Sequence, residues 1–194
     1  GADRVITMDL HAGQIQGYFD IPVDHLTATP YLARYFEDIV DPDRTVAVSP
    51  DLGGVTRTRN FAEKLNHLPI AIIEKRRPKA NVSEVMNVIG SVEGKDCILV
   101  DDIVDTAGTI CQAALALKEQ GANRIFGCAT HGVLSGPAIE RLENSVLEKF
   151  IITDSIVLPE ENKIDKIDVV SVAPLFAEAI RRINSNTSVS QMFD

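Results

Sequence analysis

Cys97-Ile98-Leu99-Val100-Asp101-Asp102-Ile103-Val104-Asp105-Thr106-Ala107-Gly108-Thr109-Ile110 is the stretch from which the fold is read. Ile98 to Val100 is a short apolar run with the character of a buried strand, and it is expected to stop at the two adjacent carboxylates. Ile110, Ala113, Ala114 and Leu117 then recur at the spacing of one helical face. A strand, a tight turn and a helix start therefore meet at one point. The first turn of a helix has free N–H groups and the positive end of the dipole, which together suit a phosphate. Thr106 and Thr109 add hydroxyl donors, and Gly108 permits close approach of the backbone. Ionised Asp101 and Asp102 only accept hydrogen bonds, so they suit sugar hydroxyls or a hydrated divalent cation. An ordinary α/β turn capped by Asp105 or Thr106 is the plainer reading, but a cap has no need of two further carboxylates.

Upstream, Thr45 to Val48 reads as a strand leading into Ser49-Pro50-Asp51-Leu52-Gly53-Gly54-Val55-Thr56-Arg57. Gly53 and Gly54 at a helix start let backbone amides cradle a diphosphate, and Asp51 is placed to hold Mg2+ directly or through water. Pro69 to Ile73 is a third strand, and it runs into Glu74-Lys75-Arg76-Arg77-Pro78-Lys79. A cation run directly after a buried strand, in a protein of net charge −9, is placed to meet phosphates. Ala80 to Gly94 has little core signal and an uncertain helix, the pattern of a flap.

Arg4 to Asp9 reads as a strand that ends before His11, and His25 reads as structural. Thr29-Pro30 predicts a helix with Thr29 as N-cap, its apolar face formed by Leu32, Tyr35, Phe36 and Ile39. Gly121 ends the helix that follows the central stretch. Arg124 to Thr130, Phe150 to Ile152 and Val169 to Val172 are further strands, with a helix after Pro137 and another through Leu175 to Ile183. The expected class is α/β with a mostly parallel sheet flanked by helices. The acidic balance argues against nucleic acid as a bulk electrostatic partner, and no apolar run has the length of a membrane span. Cys97, Cys111 and Cys128 form no C-x-x-C pair, so free thiols in a reducing cytoplasm are expected.

VDDIVDTAGT resembles the phosphoribosyl-diphosphate signature of type I phosphoribosyltransferases and of ribose-phosphate pyrophosphokinases. SPDLGG, KRRPKANVSEVM, THGVLSGPAIERLENS and the SVSQMF tail are also similar to the pyrophosphokinase family, and DLHAGQIQGYFDIPVDHL is not a feature of simple phosphoribosyltransferases. The resemblance implies a type I phosphoribosyltransferase-like fold, with residues 1–24 ending one such domain and 25–194 forming a second with a regulatory tail. It implies Asp105, Thr106, Ala107, Gly108 and Thr109 at a 5-phosphate, with Asp101 and Asp102 at the ribose. It implies Asp51, Gly53 and Gly54 at the diphosphate and His11 with Asp51 at Mg2+. Lys75 and Arg77 fall in the catalytic loop, Arg77 also meeting substrate, and Ser188 and Ser190 in a phosphate or ADP regulatory site between subunits. The implied reaction moves a diphosphoryl group from MgATP to ribose 5-phosphate for nucleotide biosynthesis, in a cytoplasmic homo-oligomer of hexamers built from dimers. Much of the adenine pocket would come from a preceding segment. A phosphoribosyltransferase and a non-catalytic regulatory homologue are the alternatives.

Overall fold

The computed structural model describes residues 1–76 and 85–193, apart from the side chains of Lys75, Arg76 and Val85. Arg77 and the basic segment after it lie outside the described residues, as does the Lys75 side chain.

A seven-stranded sheet forms the frame, from β3 (Thr45–Ser49), β4 (Ile70–Arg76), β5 (Val85–Ile89), β6 (Asp96–Val104), β7 (Ile125–Gly132), β8 (Lys149–Thr153) and β9 (Ile167–Val170). Their order is β5-β4-β3-β6-β7-β8-β9, and every pairing is parallel except β4 with β5. Parallel sheets are covered on both faces, and their strands accordingly bury alternate side chains in two cores. Cys97 and Leu99 of β6 enter one core with Ile110, Ala113 and Leu117 of α3 (Gly108–Glu119) and Leu142 of α4 (Ala138–Glu143). Ile98 and Val100 enter the other, with α1 (Thr29–Phe36) and α2 (Val55–Lys64). There Phe36 stands edge-on to Phe61 and Phe126, with ring centroids 6.0 and 5.9 Å away.

A smaller parallel pair, β1 (Val5–Met8) and β2 (Val23–Leu26), packs with α5 (Ala173–Asn184) and the C-terminal tail around Met8, Leu26, Leu175, Ala179 and Val189. Residue 24 lies inside β2. Among the described residues no helix is long and apolar enough to cross a membrane.

Several local expectations change. Strand β6 does not stop at the acidic pair but runs through it to Val104, because β7 continues the ladder with Asp101 opposite Ala129 and Ile103 opposite His131. Val85 to Ile89, inside the segment read as an uncertain helix, is a strand antiparallel to β4, with Lys75 opposite Met86. Thr29 is the first residue of α1, not its cap; the hydroxyl of Thr27 accepts from the Thr29 amide at 3.2 Å. Neither Asp105 nor Thr106 caps α3, whose N-cap is Ala107.

One feature of the topology positions the site. The chain leaves β3 toward β4 and β5, then returns to the other side of β3 as β6 and continues to β7, β8 and β9. At such a reversal the loops leaving adjacent parallel strands diverge to opposite faces and open a crevice. Here those strands are β3 and β6, paired with Val48 opposite Leu99.

Candidate active site at the reversal of the sheet

Two loops leave the crevice. The first, after β3, turns at Asp51 and enters α2 at Gly54. Asp51 Oδ1 accepts from the Gly54 amide at 2.9 Å, and Ser49 Oγ donates to the Asp51 carbonyl at 2.6 Å. A Cβ on Gly54 would sit 2.8 Å from Ser49 Oγ, closer than real contacts permit, so glycine is required by the close approach.

The second loop, after β6, enters α3 through Ala107 in the left-handed region, φ 58° and ψ 6°. For an L-residue with a side chain this costs about 1–2 kcal/mol. The Ala107 methyl is buried in the core beneath α3. Among the described residues no side chain caps α3, whose N-terminus carries the positive end of its dipole.

His11, Asp51, Asp101, Asp102, Asp105, Thr106, Ala107, Gly108 and Thr109 line one cavity of about 260 Å³. The structure thus brings together the residues read as the ribose and 5-phosphate site with both residues read as metal ligands. Gly53 lies instead on a neighbouring cavity of about 480 Å³, with Arg57, Asp9 and Phe193. Ser188 and Ser190 line neither cavity; their hydroxyls hydrogen-bond to each other at 2.8 Å. The tail is nevertheless anchored, since Val189 is buried and Arg182 donates to the Ser188 carbonyl at 2.8 Å.

Arg57 is the residue that sequence reasoning passed over. It projects from the first turn of α2, donates to Asp101 Oδ1 at 3.2 Å and pairs with Asp102 Oδ2. His11 Nδ1 lies 3.0 Å from the same Asp102 oxygen, although the imidazole is otherwise largely exposed. Asp102 itself is 1% exposed. A carboxylate that deep needs partners, and it draws them from 45 and 91 residues away along the chain. Burial pushes the Asp101 carboxyl up to about 7; the Asp102 charge adds to the rise, while the Asp102 amide and Arg57 oppose it.

His25, read as structural, uses both ring nitrogens within its own neighbourhood: Nε2 accepts from the Leu10 amide at 3.0 Å and Nδ1 lies 3.1 Å from Gln16 Nε2. Ser135 supports the second loop, donating through its hydroxyl to Asp105 Oδ1 and through its amide to the Asp105 carbonyl at 3.0 Å.

The donor set can be tested against Mg2+. Among the described residues no group of three His, Cys, Asp or Glu side chains could hold an ion by itself. Mg2+ is characteristically held by one or two carboxylates, with water and substrate phosphates completing its shell, and that partial set is what Asp51 and Asp102 offer, with the His11 imidazole 3.0 Å from Asp102. Asp102 Oδ1 is buried without a hydrogen-bond partner among the described residues, an acceptor of the kind an ion or hydroxyl satisfies.

Comparison with known proteins adds the family. Residues 75–194 match the family described as the phosphoribosyl synthetase-associated domain. A ribose-phosphate pyrophosphokinase of Caldanaerobacter subterraneus subsp. tengcongensis is 67% identical over 193 residues, covering 100% of this chain and 61% of that protein. One from Clostridium acetobutylicum is 63% identical over 194 residues, covering 100% and 60%. The crystal structure of phosphoribosylpyrophosphate synthetase from Mycobacterium smegmatis matches with a TM-score of 0.88 at 42% identity, covering 96% of this chain and 60% of that one. The chain thus spans about three fifths of the length of the curated relatives it matches.

Proposed function

We propose, for a chain that belongs to the phosphoribosyl synthetase-associated domain family, that it carries the ribose 5-phosphate half of a ribose-phosphate diphosphokinase site. In this reading the C1 hydroxyl of ribose 5-phosphate attacks the β-phosphorus of ATP. The bond from that phosphorus to the α,β-bridging oxygen breaks, and AMP leaves. The product, 5-phosphoribosyl 1-diphosphate, serves nucleotide biosynthesis. The observation that carries the reading is the 3.0 Å approach of His11 to Asp102. It joins the histidine stretch that separates pyrophosphokinases from simple phosphoribosyltransferases to the acidic pair that both share.

Catalysis of this kind is mostly alignment and neutralisation of charge. The turn from Asp105 to Thr109 holds the 5-phosphate on main-chain N–H groups, and Asp101 and Asp102 accept from the ribose hydroxyls. Arg57 keeps that pair in place and partly neutral. The loop of Asp51, Gly53 and Gly54 holds the diphosphate. His11 and Asp51 hold Mg2+, which when bound withdraws charge from the diphosphate oxygens. Lys75 meets developing charge as a point cation, and Arg77 binds phosphoryl oxygens and substrate in a fork. Residues 1–24 close one phosphoribosyltransferase-like domain and 25–194 form a second. The tail, with Ser188 and Ser190, serves a regulatory site in a cytoplasmic homo-oligomer.

AMP release from MgATP, with and without ribose 5-phosphate, tests the reading on this chain and on a protein extended to the length of its relatives. Ribose-dependent AMP from the extended protein is expected, with calorimetric binding of ribose 5-phosphate by this chain. An extended protein that releases no AMP, or releases it regardless of the sugar, overturns it.

A further inference from the structure

The 5-phosphate turn is shaped from behind. Val104 O accepts from the amides of Val133 and Leu134 at 3.0 and 3.2 Å, and Asp105 O accepts from the Ser135 amide at 3.0 Å. Thr106 O accepts from Arg141 Nη1 at 2.9 Å. Three consecutive carbonyls are therefore turned toward one remote segment, residues 133–141. A trans peptide is planar and sets the next N–H opposite to its carbonyl. Pinning those three carbonyls thus turns the amides of Asp105, Thr106 and Ala107 away from that segment, and all three residues line the cavity.

The third peptide differs from the other two. Val104 and Asp105 are gripped by main chain, whereas Thr106 O is held by one side chain, that of Arg141. It is also the strained one, because its orientation leaves Ala107 at φ 58°. Rotating the Thr106–Ala107 peptide plane by half a turn would return Ala107 to negative φ and take its N–H out of the cavity. Strain thus favours the flipped state, and the Arg141 bond opposes it. Arg141 is itself steadied by a hydrogen bond from Cys111 Sγ to its carbonyl at 3.6 Å, which ties α4 to α3.

We propose that Arg141 is a positioning residue for phosphate binding: its grip on Thr106 O selects the orientation of the Thr106–Ala107 peptide that aims the Ala107 N–H at the 5-phosphate. This rests on the assignment of that turn to the 5-phosphate. Arg141 does not line the cavity of that turn; it lines a second pocket with Cys111, Gln112 and Asn144, and Gly108 borders both.

The test uses this chain, with ribose 5-phosphate and inorganic phosphate as probes. Arg141→Ala is expected to weaken both about tenfold, the scale of one charge-assisted hydrogen bond. It is also expected to move the amide resonance of Ala107, with or without phosphate, while signals from the Asp51 loop stay in place. Arg141→Lys, which keeps one donor on a long side chain, should recover most of the affinity. A merely structural arginine would lower stability without moving the Ala107 amide selectively. Equal affinity in Arg141→Ala and the wild type, or an unmoved Ala107 amide, overturns the proposal. A wild-type chain that binds neither probe overturns the 5-phosphate assignment, and the Ala107 resonance still reads the peptide orientation separately. Wild-type amide positions along β3, β7 and β8 in Arg141→Ala show that the arginine variant is folded.

Discussion

The two loops at the sheet reversal share a plan, strand then turn then helix, yet they are braced in opposite ways. The loop after β3 holds itself: Asp51 accepts from Gly54, three residues on, and Ser49 donates to Asp51, two residues on. The loop after β6 is held by residues 133–141, from far along the chain, and the acidic pair at the end of β6 by Arg57. The self-braced loop spends one of its amides on its own carboxylate. The remotely braced loop satisfies carbonyls from behind, and among the described residues its helix start has no side-chain cap. Local bracing suits a loop that must exist before its ligand arrives, and remote bracing suits one whose amides must all face the ligand.

The strongest way to break this contrast is Gly54→Ala. Its methyl would meet Ser49 Oγ at 2.8 Å, within the bond that holds the loop. Overpacking of about 2 kcal/mol should weaken inorganic pyrophosphate binding about thirtyfold. Calorimetry should show ribose 5-phosphate affinity within about twofold of wild type, since the second loop does not depend on that contact. Arg57→Met comes next. With the acidic pair left to repel itself, ribose 5-phosphate should bind about tenfold more weakly, again by calorimetry.

A pH series sharpens the electrostatic side. The Asp101 carboxyl is raised to about 7 in the fold, from an unfolded value of about 4. Between those values the folded chain holds more protons than the unfolded one, so this group's contribution to stability declines as pH rises through the window. Urea unfolding should show that decline in the ligand-free wild type and a flatter profile in Asp101→Asn. The smallest effect is expected from Gly108→Ala, the counterpart of the first substitution. The atom its methyl would meet is Arg141 Nη1, at 3.3 Å, the donor that grips Thr106 O, which must give by a few tenths of an ångström without leaving its partner. Phosphate affinity should fall about threefold, less than in Arg141→Ala, where the grip is lost outright.

The same contrast explains what could be read from the sequence. Strand β3, its glycine turn and α2 were legible because their signals lie within a dozen residues: Val46 and Val48 for the strand, Gly53 and Gly54 for the turn. The acidic pair and the turn to Gly108 were legible for the same reason. Arg57 was not, because nothing local distinguishes it from Arg59 on the same helix; only the fold sets it against Asp101 and Asp102. A clue was available, since two adjacent carboxylates in an acidic chain require a nearby cation. Arg141 was hidden likewise, 35 residues from the carbonyl it holds. The end of β6 was misplaced because carboxylates read as strand terminators, whereas β7 and the partners of Asp102 offset the cost of keeping them in the ladder. Val85 to Ile89 was missed because its pairing with β4 is a tertiary fact.

The place of β6 in the sheet has a consequence for how the molecule comes into being. Of the large sheet, β3, β4 and β5 are synthesised before β6, and any pairing among those three alone has β3 at its edge. All five residues of β3 are buried in the finished fold. Until β6 emerges, that edge offers unpaired main-chain groups and apolar side chains to any other nascent strand. The strand that finally covers it is the one that carries Asp101 and Asp102. Closing the vulnerable edge and bringing the acidic pair to Arg57 are thus the same event, so a chain caught before that step is aggregation-prone and without its site at once.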